Sequence, residues 1–357
     1  MDRLGVYIHI PFCARKCPYC DFYSESYDKA LAEQYAQAVI RNLNYYDETY
    51  DTVYFGGGTP VLLSDKMPQI MKNVRLSENA EVTVEANPCV TDEKRLYDLL
   101  SGGVNRISFG IQSLDEKELK FLGRRHNADQ AKAAINHAYK AGFRNISADL
   151  MLGLPQQTKK TVKKSVSELS ELPLSHISAY LLKIEENTPF GQMNIAVPED
   201  EKMDEIYLFA CDELEKNGFM QYEISNFAKQ GYECRHNLRY WRCEEYIGIG
   251  SAAHSYYNGK RFCVDRSLRD FIASDVQRTV ITDETAGDFD EFAMLKLRLS
   301  EGLLFSECEH FGVEKSAIFT RLKMIPKEYY HLTENGISLT RDGYLLSNAV
   351  IGKILGY

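Results

Sequence analysis

From residue 4 to about residue 183, short apolar runs alternate with longer amphipathic stretches. The runs Leu4–Ile10, Thr52–Phe55, Glu81–Asn87, Arg106–Ile111, Asn145–Leu150 and His176–Leu182 predict strands. Between them, Ala30–Tyr45, Glu93–Leu100, Ala128–Ala141 and Thr161–Leu172 predict helices. Asp115 followed by Glu118 reads as a capping box, and Gly142 stands where a glycine would end its helix. Strand–helix alternation means an α/β fold with a parallel sheet and crossover helices. Six units are visible, short of the eight that close a full barrel. A six-stranded open barrel and a doubly wound sheet both satisfy this pattern, and periodicity does not choose between them.

After about residue 184 the rhythm changes. A helix over Glu199–Asn217 leads to Gln221–Phe227, then to an aromatic and glycine-rich segment with His236–Trp241 and Tyr246–Ser255. Asn258-Gly259, between two apolar stretches, is a strong signal for a two-residue hairpin turn. From about residue 286, helices over Phe289–Leu299 and Val313–Leu322, a ribbon over Leu332–Leu339 and a last helix over Tyr344–Leu355 suggest a winged-helix-like unit.

The charge changes what that tail can be. Residues 286–357 hold eight basic and ten acidic side chains, and the whole chain carries a formal charge of −9. Nucleic-acid readers need Lys and Arg to neutralise phosphates, so no nucleic-acid partner is expected. At 44% hydrophobic residues the chain is composed like a globular protein. It has no apolar run long enough to span a bilayer and no export signal at its start, so a cytoplasmic protein is expected, with peripheral membrane contact left open.

Nine cysteines are the unusual count. An odd number without an export signal does not read as a disulfide framework. Six are scattered, while Cys13, Cys17 and Cys20 fall within eight residues, directly after the first predicted strand. Loops after strands line the ligand-binding face of such sheets. Three close thiolates suit a soft metal or an iron–sulfur cluster. A structural zinc remains open if His9 or Cys89 supplies a fourth ligand.

The flanking residues carry a resemblance. Tyr7-Ile-His9-Ile-Pro-Phe-Cys13 and Cys17-Pro-Tyr19-Cys20-Asp21-Phe22 resemble the cluster loop of the radical S-adenosylmethionine superfamily, in its oxygen-independent coproporphyrinogen oxidase group. Further matches are Gly56-Gly57-Gly58-Thr59-Pro60, Glu85-Ala86-Asn87-Pro88, Asn105 to Ser113, Leu122-Gly123-Arg124, Asp149 to Pro155, His236 to Trp241 and Gly248 to Ser255. They run through essentially the whole chain. The resemblance implies an open partial (β/α)6 TIM-like barrel over residues 1–183. An extension over residues 184–285 follows, then a mainly helical winged-helix-like domain over 286–357.

The same resemblance implies a [4Fe–4S] cluster on Cys13, Cys17 and Cys20. It places Tyr7, Tyr19, Gly57, Gly58, Thr59, Glu85, Gln112, Arg124 and Asp149 around S-adenosylmethionine. Chemistry agrees in part, since carboxylates suit ribose hydroxyls and an Arg fork suits a carboxylate. The motif His236-Asn-Leu-Arg-Tyr240-Trp241 is similar to one that HemW-type haem chaperones use in haem handling. It implies His236 as an iron ligand with haem stacked on Tyr240 or Trp241, and Cys234 two residues earlier as a second thiol ligand. A packed aromatic corner around a hydrogen-bonded histidine accounts for the same residues.

Two departures choose within the group. The oxidases carry another cysteine two residues after the third, where this chain has Phe22, and they are longer before the cluster strand. Both point to a HemW-type carrier of haem whose partners are haem and a recipient apoprotein, with a homodimer as a further implication. The alternative is an oxidase that decarboxylates propionate side chains of coproporphyrinogen III through a 5′-deoxyadenosyl radical.

Overall fold

The computed structural model describes residues 4–193 and 195–357. Its main sheet has twelve strands, numbered here in chain order. They are β1 (Gly5–Ile10), β2 (Thr49–Gly57), β3 (Arg75–Ala86), β4 (Arg106–Gln112), β5 (Asn145–Leu152) and β6 (His176–Leu181). Six more follow: β7 (Met220–Glu223), β8 (Asn226–Ala228), β9 (Tyr246–Ile249), β10 (His254–Tyr257), β11 (Lys260–Val264) and β12 (Thr279–Asp283). The spatial order is β12-β11-β10-β9-β1-β2-β3-β4-β5-β6-β8-β7.

That order decides between the two sequence alternatives. β1 to β6 lie side by side in chain order and all pair in parallel. A doubly wound sheet reverses direction at a switch point, and β1 to β6 contain none. Consistently handed crossovers then put every helix on one face, which is the winding of a barrel. The helices are α1 (Lys29–Tyr46), α2 (Glu93–Ser101), α3 (Ala128–Ala141) and α4 (Lys159–Ser170). The sheet also extends beyond β1, where β9 pairs with it in parallel and β10 to β12 continue antiparallel. β3 also begins earlier than its hydrophobic run, since exposed Arg75-Leu76 pairs with Thr49-Tyr50.

Strand alternation sorts the side chains into two layers. Val6, Ile8, Ile10, Val53, Phe55, Val84, Ile107, Phe109, Ile146 and Ile177 face the helices and join Tyr35, Val39, Leu99, Ile135 and Val166 in one fully buried core. Each such side chain contributes roughly 1.5–3 kcal/mol by leaving water. The alternate positions are polar or aromatic: Tyr7 and His9, Thr52 and Tyr54, Thr83 and Glu85, Ser108, Ser147 and Asp149, His176 and Tyr180. They face inward, where hydrogen bonds link strand to strand, as from Ser147 to His176 at 2.8 Å and Tyr54 to Glu85 at 2.9 Å.

Local signals hold with one correction. Asp115 does cap its helix, accepting from Lys117 and Glu118 backbone N–H groups, but the Glu118 carboxylate turns away to Ser113 and Gln157. No reciprocal box forms there. Asn127 and Gln130 form one instead at the start of α3. Gly142 ends α3 with its N–H bonded to Ala138.

The C-terminal unit has its own core, built on Ala293, Leu297, Leu303, Ile318, Leu322, Ile337, Leu339 and Ile351. Its strands Leu303–Leu304, Gly336–Leu339 and Tyr330–Leu332 form a three-stranded antiparallel sheet beside helices Phe289–Lys296, Phe305–His310 and Lys315–Leu322. The last predicted helix is two, Arg341–Leu345 and Ser347–Leu355. Arg242 and Lys296 converge on Glu301 at 2.8 Å each, and these cations hold its carboxyl down to about 2. Among the described residues no helix is long and apolar enough to cross a membrane.

Candidate functional site

The cysteine loop leaves the C-terminal end of β1 and is pinned to neighbouring turns. Gly58 donates its N–H to Ile10 and Thr59 to Phe12, at 2.8 and 2.7 Å. A Cβ on Gly58 would stand 2.6 Å from the Phe12 carbonyl oxygen, so only glycine allows this approach. On the other side, Gly123 turns with φ +67 against Pro18 and aims Arg124 at the loop. Arg124 donates to Cys17 Sγ and Tyr19 OH, both at 3.4 Å, and to the Gly110 carbonyl. Its Nε is buried without a partner, a donor left over for a ligand.

Cys13, Cys17 and Cys20, none of them fully buried, rim a cavity of about 160 Å³. Glu85, Gln112, Arg124, Asp149, Gly57, Gly58, Thr59 and Tyr19 are part of its wall, so eight residues expected around S-adenosylmethionine converge. Glu85 and Asp149 are enclosed, and burial pushes their carboxyls up to about 7 and about 6. Asp149 adds to the rise of Glu85, while Tyr54 and the Gly57 N–H oppose it by donating at 2.9 and 3.2 Å. A register shift after Phe109 leaves Gln112 at φ +74, where it accepts from Tyr180 at 2.8 Å. Gly57, Gly58 and Thr59 spend all three N–H groups inside the protein, so the backbone of this turn can offer a ligand only acceptors.

The donor set fits an iron–sulfur cluster better than zinc. His9 commits both ring nitrogens, one to Tyr7 OH and one to the Tyr23 carbonyl, at 3.0 and 2.9 Å. The Cys89 thiol donates to Asn87. His9 is therefore spent as a fourth ligand. Among the described residues no three His, Cys, Asp or Glu side chains are arranged to hold a single ion. In a cluster each thiolate takes its own iron, which wider spacing allows.

Tyr7 is placed differently from expectation. It lines a second, adjoining cavity of about 760 Å³ inside the sheet, with His9, Tyr54, Tyr240, Tyr246, His254, Cys263 and Arg266. Phe22, Gly57 and Glu85 belong to both walls. The floor is α6, as the helix Arg235–Trp241 is labelled here after α5 (Asp200–Lys216). α6 plugs the N-terminal ends of β1 to β3: Glu81 accepts from the Arg235 and His236 N–H groups, and buried Arg239 pairs with Asp51.

This plug corrects the expected haem residues. His236 is fully buried, with Nδ1 on Thr52 Oγ1 at 2.9 Å and Nε2 on Tyr240 OH at 2.8 Å. Burial and the nearby Arg239 hold it neutral, at about 3. Both ring nitrogens, the N–H donor and the lone-pair acceptor, are spent, so the packed-corner reading describes it. Cys234 is buried against Glu81, and burial pushes its thiol up to about 12. Trp241 faces Arg298 of the C-terminal unit, 5.9 Å from guanidinium to ring centroid. Of the expected haem residues, only Tyr240 reaches the cavity.

Sequence reasoning missed His254, Cys263 and Arg266. The signal was present: the hairpin turn at Asn258-Gly259 fixes the register, and alternation then puts His254 and Cys263 on one face.

The chain is similar to known proteins in sequence and in fold. Residues 7–169 match the family model of the radical SAM superfamily. The chain is 33% identical to the haem chaperone HemW of Haemophilus influenzae, over 99% of this chain and 98% of that protein. It is 39% identical to HemW of Escherichia coli over 84% of each. The crystal structure of coproporphyrinogen III oxidase (HemN) from Escherichia coli, a radical SAM enzyme, superposes with a TM-score of 0.83. That match covers 100% of this chain and 91% of the oxidase at 19% identity, a likeness of fold.

Proposed function

This chain belongs to the HemW family of haem chaperones, and on that footing we propose that it binds haem and hands it to apoproteins. A [4Fe–4S] cluster on Cys13, Cys17 and Cys20 and S-adenosylmethionine in the polar cavity complete the reading. One observation carries it: the aromatic cavity is roomy enough for a large planar ligand and shares Phe22, Gly57 and Glu85 with the cysteine-rimmed cavity. Cargo in one therefore touches the wall of the other.

When bound, the cluster and S-adenosylmethionine supply one-electron chemistry. The chain's own residues bind and orient. Arg124, with an unspent donor, takes a carboxylate; Glu85 and Asp149 accept from hydroxyls; the turn at Gly57 to Thr59 offers acceptors to a cationic amino group. Tyr7, Tyr54, Tyr240 and Tyr246 give the second cavity flat apolar faces that suit a porphyrin. We place the protein in the cytoplasm, where thiols stay reduced, because all nine cysteines are unpaired.

The test is anaerobic incubation of the reconstituted, reduced protein with coproporphyrinogen III, and separately with haem. Stoichiometric haem uptake without protoporphyrinogen is expected. Protoporphyrinogen formed over many turnovers would replace the carrier with the oxidase.

A further inference from the structure

Two metal-binding side chains in the aromatic cavity, His254 and Cys263, have no role so far. β10 and β11 are joined by Asn258-Gly259, both left-handed at φ +52 and +70, the geometry of a tight hairpin turn. This register sets His254 opposite Cys263. Directly opposed residues project on the same face, with Cβ atoms about 4.5–5.5 Å apart. Both line the cavity, and so does Arg266 just beyond the end of β11.

The cavity's two histidines differ in what occupies them. His9 spends both nitrogens on Tyr7 and Tyr23. His254 is exposed to the cavity, and among the described residues no hydrogen bond or ion pair engages its ring. His236, beneath the floor, is spent as described above. An imidazole with free nitrogens in an aromatic-walled cavity is what an iron porphyrin needs for axial ligation.

We propose that haem in this cavity takes His254 as its axial iron ligand and pairs a propionate with Arg266. The inference rests on the carrier reading and names the ligand for it. His254 and Cys263 leave neighbouring strands on one side, so they cannot occupy opposite faces of one porphyrin; only one ligates at a time. His254 is the better placed, because a neutral imidazole binds iron directly while a thiol must first lose a proton. Arg266 supplies a carboxylate partner with two parallel donors, and its guanidinium lies 5.8 Å from the Tyr23 ring centroid. Asp21 also lines the mouth, and its charge repels a propionate from that side. A ligand carried on a paired strand is held more rigidly than one on a loop.

The experiment titrates the full chain, its cluster reconstituted anaerobically, with haemin and records the Soret band and the ferric electron-paramagnetic-resonance spectrum. For His254→Ala and His254→Gln, the Soret band shifts, affinity falls at least about tenfold, and added imidazole restores the wild-type spectrum. Arg266→Gln weakens binding without moving the band. Cys263→Ser keeps the wild-type spectrum. His236→Ala loses stability to urea, because Thr52 and Tyr240 are left unpaired, but keeps the Soret position. Circular dichroism of both His254 variants matches the wild type, since the side chain is exposed.

Wild-type spectra in both His254 variants, or a shift in Cys263→Ser alone, would move the ligand elsewhere and leave the carrier intact. Absence of saturable haem binding by the wild type would remove the carrier reading, and this assignment with it.

Discussion

Glu85 shows how a residue legible in the sequence acquires its chemistry only in the fold. A carboxylate ending an apolar strand is visible as an anomaly; its enclosure beside Asp149, which drives the carboxyl to about 7, is not. The sign of the resulting pH dependence follows from linkage. The folded value lies above the ordinary 4.5, so the associated stability is full below about pH 4.5 and is lost as pH rises through about 7. Glu85→Gln removes the loss. The urea stability of the variant relative to wild type, both without ligands, therefore rises between pH 5 and pH 8, by about 2–3 kcal/mol at most. A difference that stays constant or falls would refute the enclosure of Glu85. His236 illustrates the opposite limit. Its motif was readable, yet whether both ring nitrogens find partners depends on Thr52, 184 positions earlier. No local pattern holds that information.

At the scale of elements, the cluster loop depends on the turns packed against it. The three cysteines were readable from spacing. The reason for glycine at position 58 was not, because the obstructing Phe12 and Ile10 carbonyls belong to β1 and its loop. Gly58→Ala drives a methyl group into backbone, which cannot step aside as a flexible side chain would. Overpacking of this kind costs about 1–3 kcal/mol. The expected result is a lower urea midpoint together with incomplete cluster reconstitution, read as iron and sulfide per chain; full reconstitution would show that the loop does not need this contact. The six parallel strands were legible for a related reason. Their helix-facing positions are continuously apolar, whereas β8 is only three residues long and β12 is exposed throughout despite its Val280-Ile281 pair, so neither shows the alternation of a half-buried strand. Strands that depend on backbone pairing leave little trace in a hydropathy pattern.

For the whole molecule, one sheet carries two cavities that share a wall. The parallel strands β1 to β6 build the polar cavity beside the cysteines, and the hairpin beyond β9 helps enclose the aromatic one. α6 closes the sheet from below and ties it to the C-terminal unit, whose Glu301 meets Arg242 just past the end of α6. That unit carries ten acidic against eight basic side chains. The central claim is that the larger cavity carries haem as cargo. It is tested most directly by loading the reconstituted protein with haem, removing excess, and following the Soret band as apomyoglobin is added. The account predicts about one haem bound per chain and its passage to apomyoglobin with the iron–sulfur cluster intact. Haem that is not retained after removal of excess, or that stays on the chain while apomyoglobin remains empty, would contradict it.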